Sequence, residues 1–193
     1  MRLPETGRGR RAAAVLFLAA LALSTGPGLP AAAKVLLTVE AALAKAFPDS
    51  TIEREIFYLT DEQRAQAETL SGLDVDHRIA RPARAYRRGE LLGTAYFDTH
   101  RVRTLPETLM VVVGPKGEVR ELRVLSFKEP LDYLPGDPWY HQFVDRRLDR
   151  KLALGRDIHG VTGATLTARA TTDAVRRVLA LHQVIWEDGT GGS

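Results

Sequence analysis

Gly160-Val161-Thr162-Gly163-Ala164-Thr165-Leu166-Thr167 runs directly into a helical pattern near the C-terminal end of the chain. A threonine in a small-residue turn at the mouth of a helix is suited to hold a phosphate. First-turn N–H groups lack intrahelical acceptors, the helix dipole favours negative charge, and glycine lets a ligand approach the backbone. The competing account is an ordinary helix start, in which Thr162, Thr165 or Thr167 caps those N–H groups and contributes about 1 kcal/mol. Other chemistries find less support. The sequence has no Gly-x-Ser-x-Gly elbow and no Walker lysine, and Gly160-Val161-Thr162-Gly163 lacks the glycine spacing of a dinucleotide site. No two of the histidines His77, His100, His141, His159 and His182 stand four residues apart, as a helical zinc site needs. They read as surface or loop residues, His159 being the nearest to the turn, and no metal site is expected. Asp98-Thr99-His100 stands at a strand end, where a turn is the simpler account. No residue is assigned a catalytic role.

Composition sets further bounds. The 193 residues include no cysteine, which excludes disulfides, thiol redox chemistry, cysteine-ligated zinc and iron–sulfur clusters. Arg2, Arg8, Arg10 and Arg11 precede an apolar run from Ala12 to Leu23, and Ala31-Ala32-Ala33 supplies the small residues of a cleavage site. That run is shorter than the roughly 20 residues that span a bilayer. Residues 1–33 therefore read as a cleaved signal peptide with Lys34 as the first mature residue, and export without stable membrane insertion is expected. The whole chain carries 27 Lys+Arg against 24 Asp+Glu, but beyond the leader 23 of each remain. The positive balance thus belongs to the leader, and a nucleic-acid partner gains no support from it.

The elements that must position the turn follow from local patterns. Thr38 to Phe47 reads as a short helix, and Ile52 to Leu59 as a strand. Thr60 and Gln63 are spaced for a capping box that starts a helix running to about Leu70 and ending at Gly72. Ala85–Arg87 can pair with Leu91–Asp98 across Arg88-Gly89-Glu90. Leu109–Val113 and Val119–Ser126 flank Gly114-Pro115-Lys116-Gly117, a strong hairpin signal. In Trp139–Leu154, Phe143, Leu148 and Leu152 are spaced for one face of a helix. Ala168 to Leu181 is the clearest helix, with Ala170, Ala174, Val175, Val178 and Leu179 on one side. Arg146-Arg147, Arg150-Lys151 and Arg176-Arg177 read as solvated faces. Short loops imply antiparallel pairing, so the expected fold is α+β, an antiparallel sheet with flanking helices. Residues 34–92 form its N-terminal helix and strand segment, 93–186 its core, and 187–193 a polar tail.

Thr162-Gly163-Ala164-Thr165 resembles the [Ser/Thr]-Gly-Ala-Thr signature of the FMN-binding domain family. Glu129, in Leu125-Ser126-Phe127-Lys128-Glu129-Pro130, resembles that family's strand-end glutamate. The likeness spans roughly Gly93 to Leu181. It implies FMN as the cofactor, joined by a phosphoester to Thr165, with Thr162, Gly163, Ala164, Leu166, Thr167, Glu129 and His159 around it. It also implies a flavin transferase that makes the bond from FAD with a magnesium ion of its own. One position departs. His159 stands where the family's motif has aspartate, and a histidine supplies no fixed negative charge for the transferase to read. Non-covalent FMN at the same phosphate site is the alternative, and Asp157 lies two residues away. Among the aromatic residues Tyr133, Trp139, Tyr140 and Phe143, the last reads as core, while one of the others could lie against the isoalloxazine.

The expected function is therefore an exported FMN-binding flavoprotein of the periplasm or extracytoplasmic space. It would act as an electron carrier between redox partner proteins there or at the membrane. The resemblance extends to the flavinylated subunits of Rnf-type and sodium-translocating NADH:quinone oxidoreductase complexes, of which this chain would be a small stand-alone counterpart. The alternatives are a flavin-dependent reductase acting directly on an acceptor, or a flavin-free binding module of the same fold.

Overall fold

In β7 (Pro106–Val113) the apolar run Leu109 to Val113 is buried throughout, which requires cover on both faces of one sheet. The computed structural model describes residues 34–187; the expected leader (1–33) and nearly all of the expected tail lie outside these. The strands β1 (Lys34–Val35), β2 (Thr51–Arg54), β5 (Ala83–Arg87), β6 (Glu90–Arg101), β7 and β8 (Val119–Phe127) form one antiparallel sheet in the order β1-β8-β7-β6-β5-β2. Alternation along β7 divides the core. Met110 and Val112 face α1 (Val39–Ala46), where they meet Ala42, Leu43 and Phe47. Leu109, Val111 and Val113 face α4 (Thr165–His182), where they meet Ala168, Ala174, Val175, Val178 and Leu179. The expected α+β architecture, an antiparallel sheet with flanking helices, is present.

Local signals account for most element ends. Thr38 caps α1 by accepting the Ala41 N–H. Thr60 and Gln63 form the reciprocal capping box of α2 (Asp61–Ser71), which ends in left-handed Gly72. The β5–β6 hairpin turns on Arg88 and Gly89, both at positive φ, the geometry that suits a two-residue hairpin loop.

Two expectations fail for tertiary reasons. Ile52–Leu59 is not one strand. It breaks at Glu55-Ile56 into β2 of the main sheet and β3 (Phe57–Tyr58), which pairs with β4 (Ile79–Ala80) in a separate two-stranded sheet. Trp139–Leu154 contains no extended helix either. A single turn, α3 (Asp137–Tyr140), and a 3₁₀ turn (His141–Phe143) give way to irregular chain. There Asp145 N–H donates to the Val119 carbonyl, and Val119 N–H donates to that of Arg146, both at 2.8 Å. These bonds to the start of β8 replace helical ones, while Phe143 and Leu152 still reach the core. Among the described residues no helix is long and apolar enough to cross a membrane.

Candidate functional site

Ala164 occupies the N-cap of α4 with φ −119° and ψ 26°, and no side chain caps the helix. The N–H groups of Thr165, Leu166 and Thr167 occupy the first turn, where the helix offers them no acceptor. Gly163 precedes them at φ +86°, in the left-handed region, with no atom within 4 Å of where a Cβ would stand. Gly163 therefore leaves open space beside the backbone at the mouth of the helix. Thr165 is exposed, and its hydroxyl makes only a long 3.3 Å bond to the Val161 carbonyl. Thr162 and Leu166 are also exposed. Thr167 behaves differently: it is buried, and its hydroxyl donates to the Tyr133 carbonyl at 2.6 Å. That bond fixes the Tyr133 loop to the helix.

A hollow of about 160 Å³ opens here, lined by residues 163–167 together with Arg103 and Tyr133. The Arg103 guanidinium carbon lies 4.7 Å from the centre of the Tyr133 ring. Arginine's planar charge stacks on an aromatic face and still offers donors at its edge, a form suited to phosphate. With no acidic residue in the first turn of α4, the positive helix end and Arg103 act together.

Glu129 is buried, and it lies behind the hollow rather than in it. Its Oε1 accepts the N–H groups of Thr104 at 2.7 Å, Leu105 at 2.8 Å and Arg103 at 3.3 Å, and the Thr104 hydroxyl at 3.3 Å. Backbone donation, first from Leu105 and then from Thr104, holds its carboxyl below the usual glutamate range. Glu129 thus shapes the loop that carries Arg103. His159 is exposed and contributes through its backbone. Its N–H donates to Gln142 Oε1 at 2.8 Å, and its carbonyl accepts from Trp139 Nε1 at 2.6 Å. Asp157 is taken up by Arg146 at 2.7 Å.

Residues 105–180 match the family model described as FMN-binding domain. This segment is an FMN-binding domain. Comparisons with curated proteins and with solved structures each gave no match. Its cofactor is FMN, and the residues of the turn fit one: first-turn N–H groups without helical acceptors, an open glycine, an exposed hydroxyl and a guanidinium stand around one hollow.

Sequence reasoning alone did not find Arg103. It stands in a short loop with no pattern of its own, and the signal was indirect: a buried glutamate at the end of β8 requires donors. Tyr133 was only one of four aromatic candidates. Phe143 is fully buried, as expected, and Trp139 and Tyr140 are buried too.

Two histidines are not surface residues. His182 is buried, with Nδ1 3.0 Å from the Tyr96 hydroxyl. Burial and the nearby Arg84 push it down to about 4. His100 lies between Asp98 at 2.7 Å and fully buried Glu107 at 3.0 Å, and Thr171 of α4 also donates to Glu107 at 3.3 Å. Burial opposes charge on His100, but its bonds to the two carboxylates outweigh that and push it up to about 9. Arg176 is not on a solvated face either. It donates to the carbonyls of Ser71, Asp149 and Leu152, clamping α2 and the irregular segment to α4.

Proposed function

We propose that this FMN-binding protein is an exported electron carrier whose cofactor is joined to Thr165 and which exchanges electrons with partner proteins at the membrane or in the periplasm. The observation that carries this reading is the exposed, weakly engaged Thr165 hydroxyl among the bare N–H groups of α4. Bound FMN supplies reversible one- and two-electron chemistry that no side chain here provides.

The chain's own residues have separate tasks. The first-turn N–H groups of α4 and Arg103 bind the phosphate, and Gly163 leaves room for it. Glu129 orders the 102–105 loop, and Thr167 holds the loop bearing Tyr133, whose ring offers a flat apolar face. In attachment, the Thr165 oxygen forms a bond to the flavin-side phosphorus of FAD, AMP departs, and the hydroxyl proton is released. A flavin transferase performs that step. A phosphoester suits an exported protein, because a dissociated cofactor has no cytoplasmic pool to replace it.

Intact mass of the protein purified from the extracytoplasmic fraction of its own host tests this. The expected mass is that of residues 34–193 plus FMN less one water. An unmodified mature chain overturns covalent attachment, and retention of residues 1–33 overturns the cleaved export signal.

A further inference from the structure

A second, largely apolar cavity lies elsewhere. β6 outruns its neighbour: pairing with β5 ends at Ala83↔Ala95, yet β6 continues to Arg101. On the edge of Tyr96, Phe97 and Asp98 away from β7, no strand among the described residues fills the space. It is walled instead by Ile56, by Val75 beyond α2, by Ile79 and Ala80 of β4, and by Val178 and Leu181 of α4, enclosing about 560 Å³. The cavity opens to solvent past Ile56 and Arg81, and clefts of this size commonly serve as ligand sites. From Thr165 to Val178 is 13 residues of α4, about 20 Å at the helical rise, so this cavity is distinct from the phosphate turn.

The cavity is lined by charges of both signs, Arg54, Glu55, Arg81, Asp98 and Arg177, with His77 beside them. Arg54 is paired with Glu40, Glu55 with Arg84, and Asp98 with Arg177. Arg81, exposed at the edge of the cavity, has no acidic partner among the described residues. An apolar chamber with one free guanidinium at its edge suits a particular chemistry. We propose that this cavity binds a small monoanionic amphiphile, with its apolar body against Ile56, Phe97, Val178 and Leu181 and its carboxylate on Arg81.

Octanoate and octan-1-ol are the probes, titrated calorimetrically into the flavin-loaded protein. Octanoate is expected to bind one to one. Arg81→Glu should weaken octanoate at least about fivefold and leave octan-1-ol unchanged, because only the anion meets the reversed charge. Ile56→Glu, at a position already more than half exposed, should weaken both probes by placing a carboxylate in the apolar wall. Unchanged flavin absorbance and melting temperature in each variant establish that the fold and the cofactor site are intact. Absence of one-to-one octanoate binding, or octanoate binding unchanged in both variants, overturns the proposal. Octan-1-ol weakened as much as octanoate by Arg81→Glu overturns the assigned role of Arg81.

Discussion

Glu129 accepts the Thr104 N–H at 2.7 Å, a bond that ties the end of β8 to the loop placing Arg103 against Tyr133. Glu129→Gln keeps the shape but replaces a charged acceptor of several N–H groups with a neutral one. The expected cost is about 1 kcal/mol, or about 3 °C in melting temperature, with weaker FMN retention as Arg103 loses its position. Because the folded carboxyl is held below its ordinary 4.5, its contribution is present above that pH and lost as pH falls through the folded value. Thermal melts of wild type and variant should therefore converge in acid below pH 4.5. Curves that stay equally separated down to pH 2 would show that the charge is not what matters.

Thr165→Val removes the hydroxyl while nearly keeping the side-chain shape. Co-expression with a flavin transferase, followed by denaturing electrophoresis, should show flavin fluorescence lost in Thr165→Val and retained in Thr162→Val. Full signal in Thr165→Val would move the attachment to another hydroxyl. If the unmodified sequence gives no signal, His159→Asp should restore it, since that exposed position can present a carboxylate without disturbing the backbone bonds to Gln142 and Trp139.

Gly163→Ala separates stability from cofactor binding. A non-glycine residue at φ +86° costs about 1 kcal/mol, and the added methyl meets no protein atom. The melting temperature should fall by only about 3 °C. FMN loading, read from visible absorbance, should fall by much more, because the methyl would occupy open space beside the hollow that Gly163 lines. Full loading with the expected small loss of stability would place the phosphate elsewhere.

His100 gives stability an alkaline limit. Its folded value, about 9, lies above the ordinary 6.5, so its stabilisation is complete below pH 6.5 and disappears as pH rises to about 9. The loss should reach roughly 1–3 kcal/mol, and His100→Gln should flatten that limb. His182 acts in the opposite direction. Lowered to about 4, it stabilises above pH 6.5, and that contribution disappears as pH falls from 6.5 towards 4. Melting temperatures from pH 4 to pH 10 should show both limbs. An alkaline limb that persists unaltered in His100→Gln would assign it to another group.

What the sequence determined by itself is whatever a few adjacent residues decide. The capping box at Thr60 and the turn at Arg88-Gly89 depend on hydrogen bonds and backbone freedom within one turn of chain, whereas α4, expected over Ala168–Leu181, begins three residues earlier at Thr165. The apolar run Leu109–Val113 likewise marked a strand beside the Gly114–Gly117 turn. Tertiary structure alone decided what depends on long-range register. His100 meets Glu107 because those two residues stand opposite each other in the β6–β7 ladder, and no local pattern reveals that a charged pair will be covered by α4. Arg103 meets Tyr133, 30 residues away, where Glu129 at the end of β8 binds the loop that carries Arg103. Phe143, Leu148 and Leu152 have helical spacing, yet bonds to Val119 at the start of β8 hold the chain after Phe143 in an irregular path. The sequence thus marked the turn at Thr162–Thr165, while packing between distant strands placed the Arg103 guanidinium and the Tyr133 ring beside it.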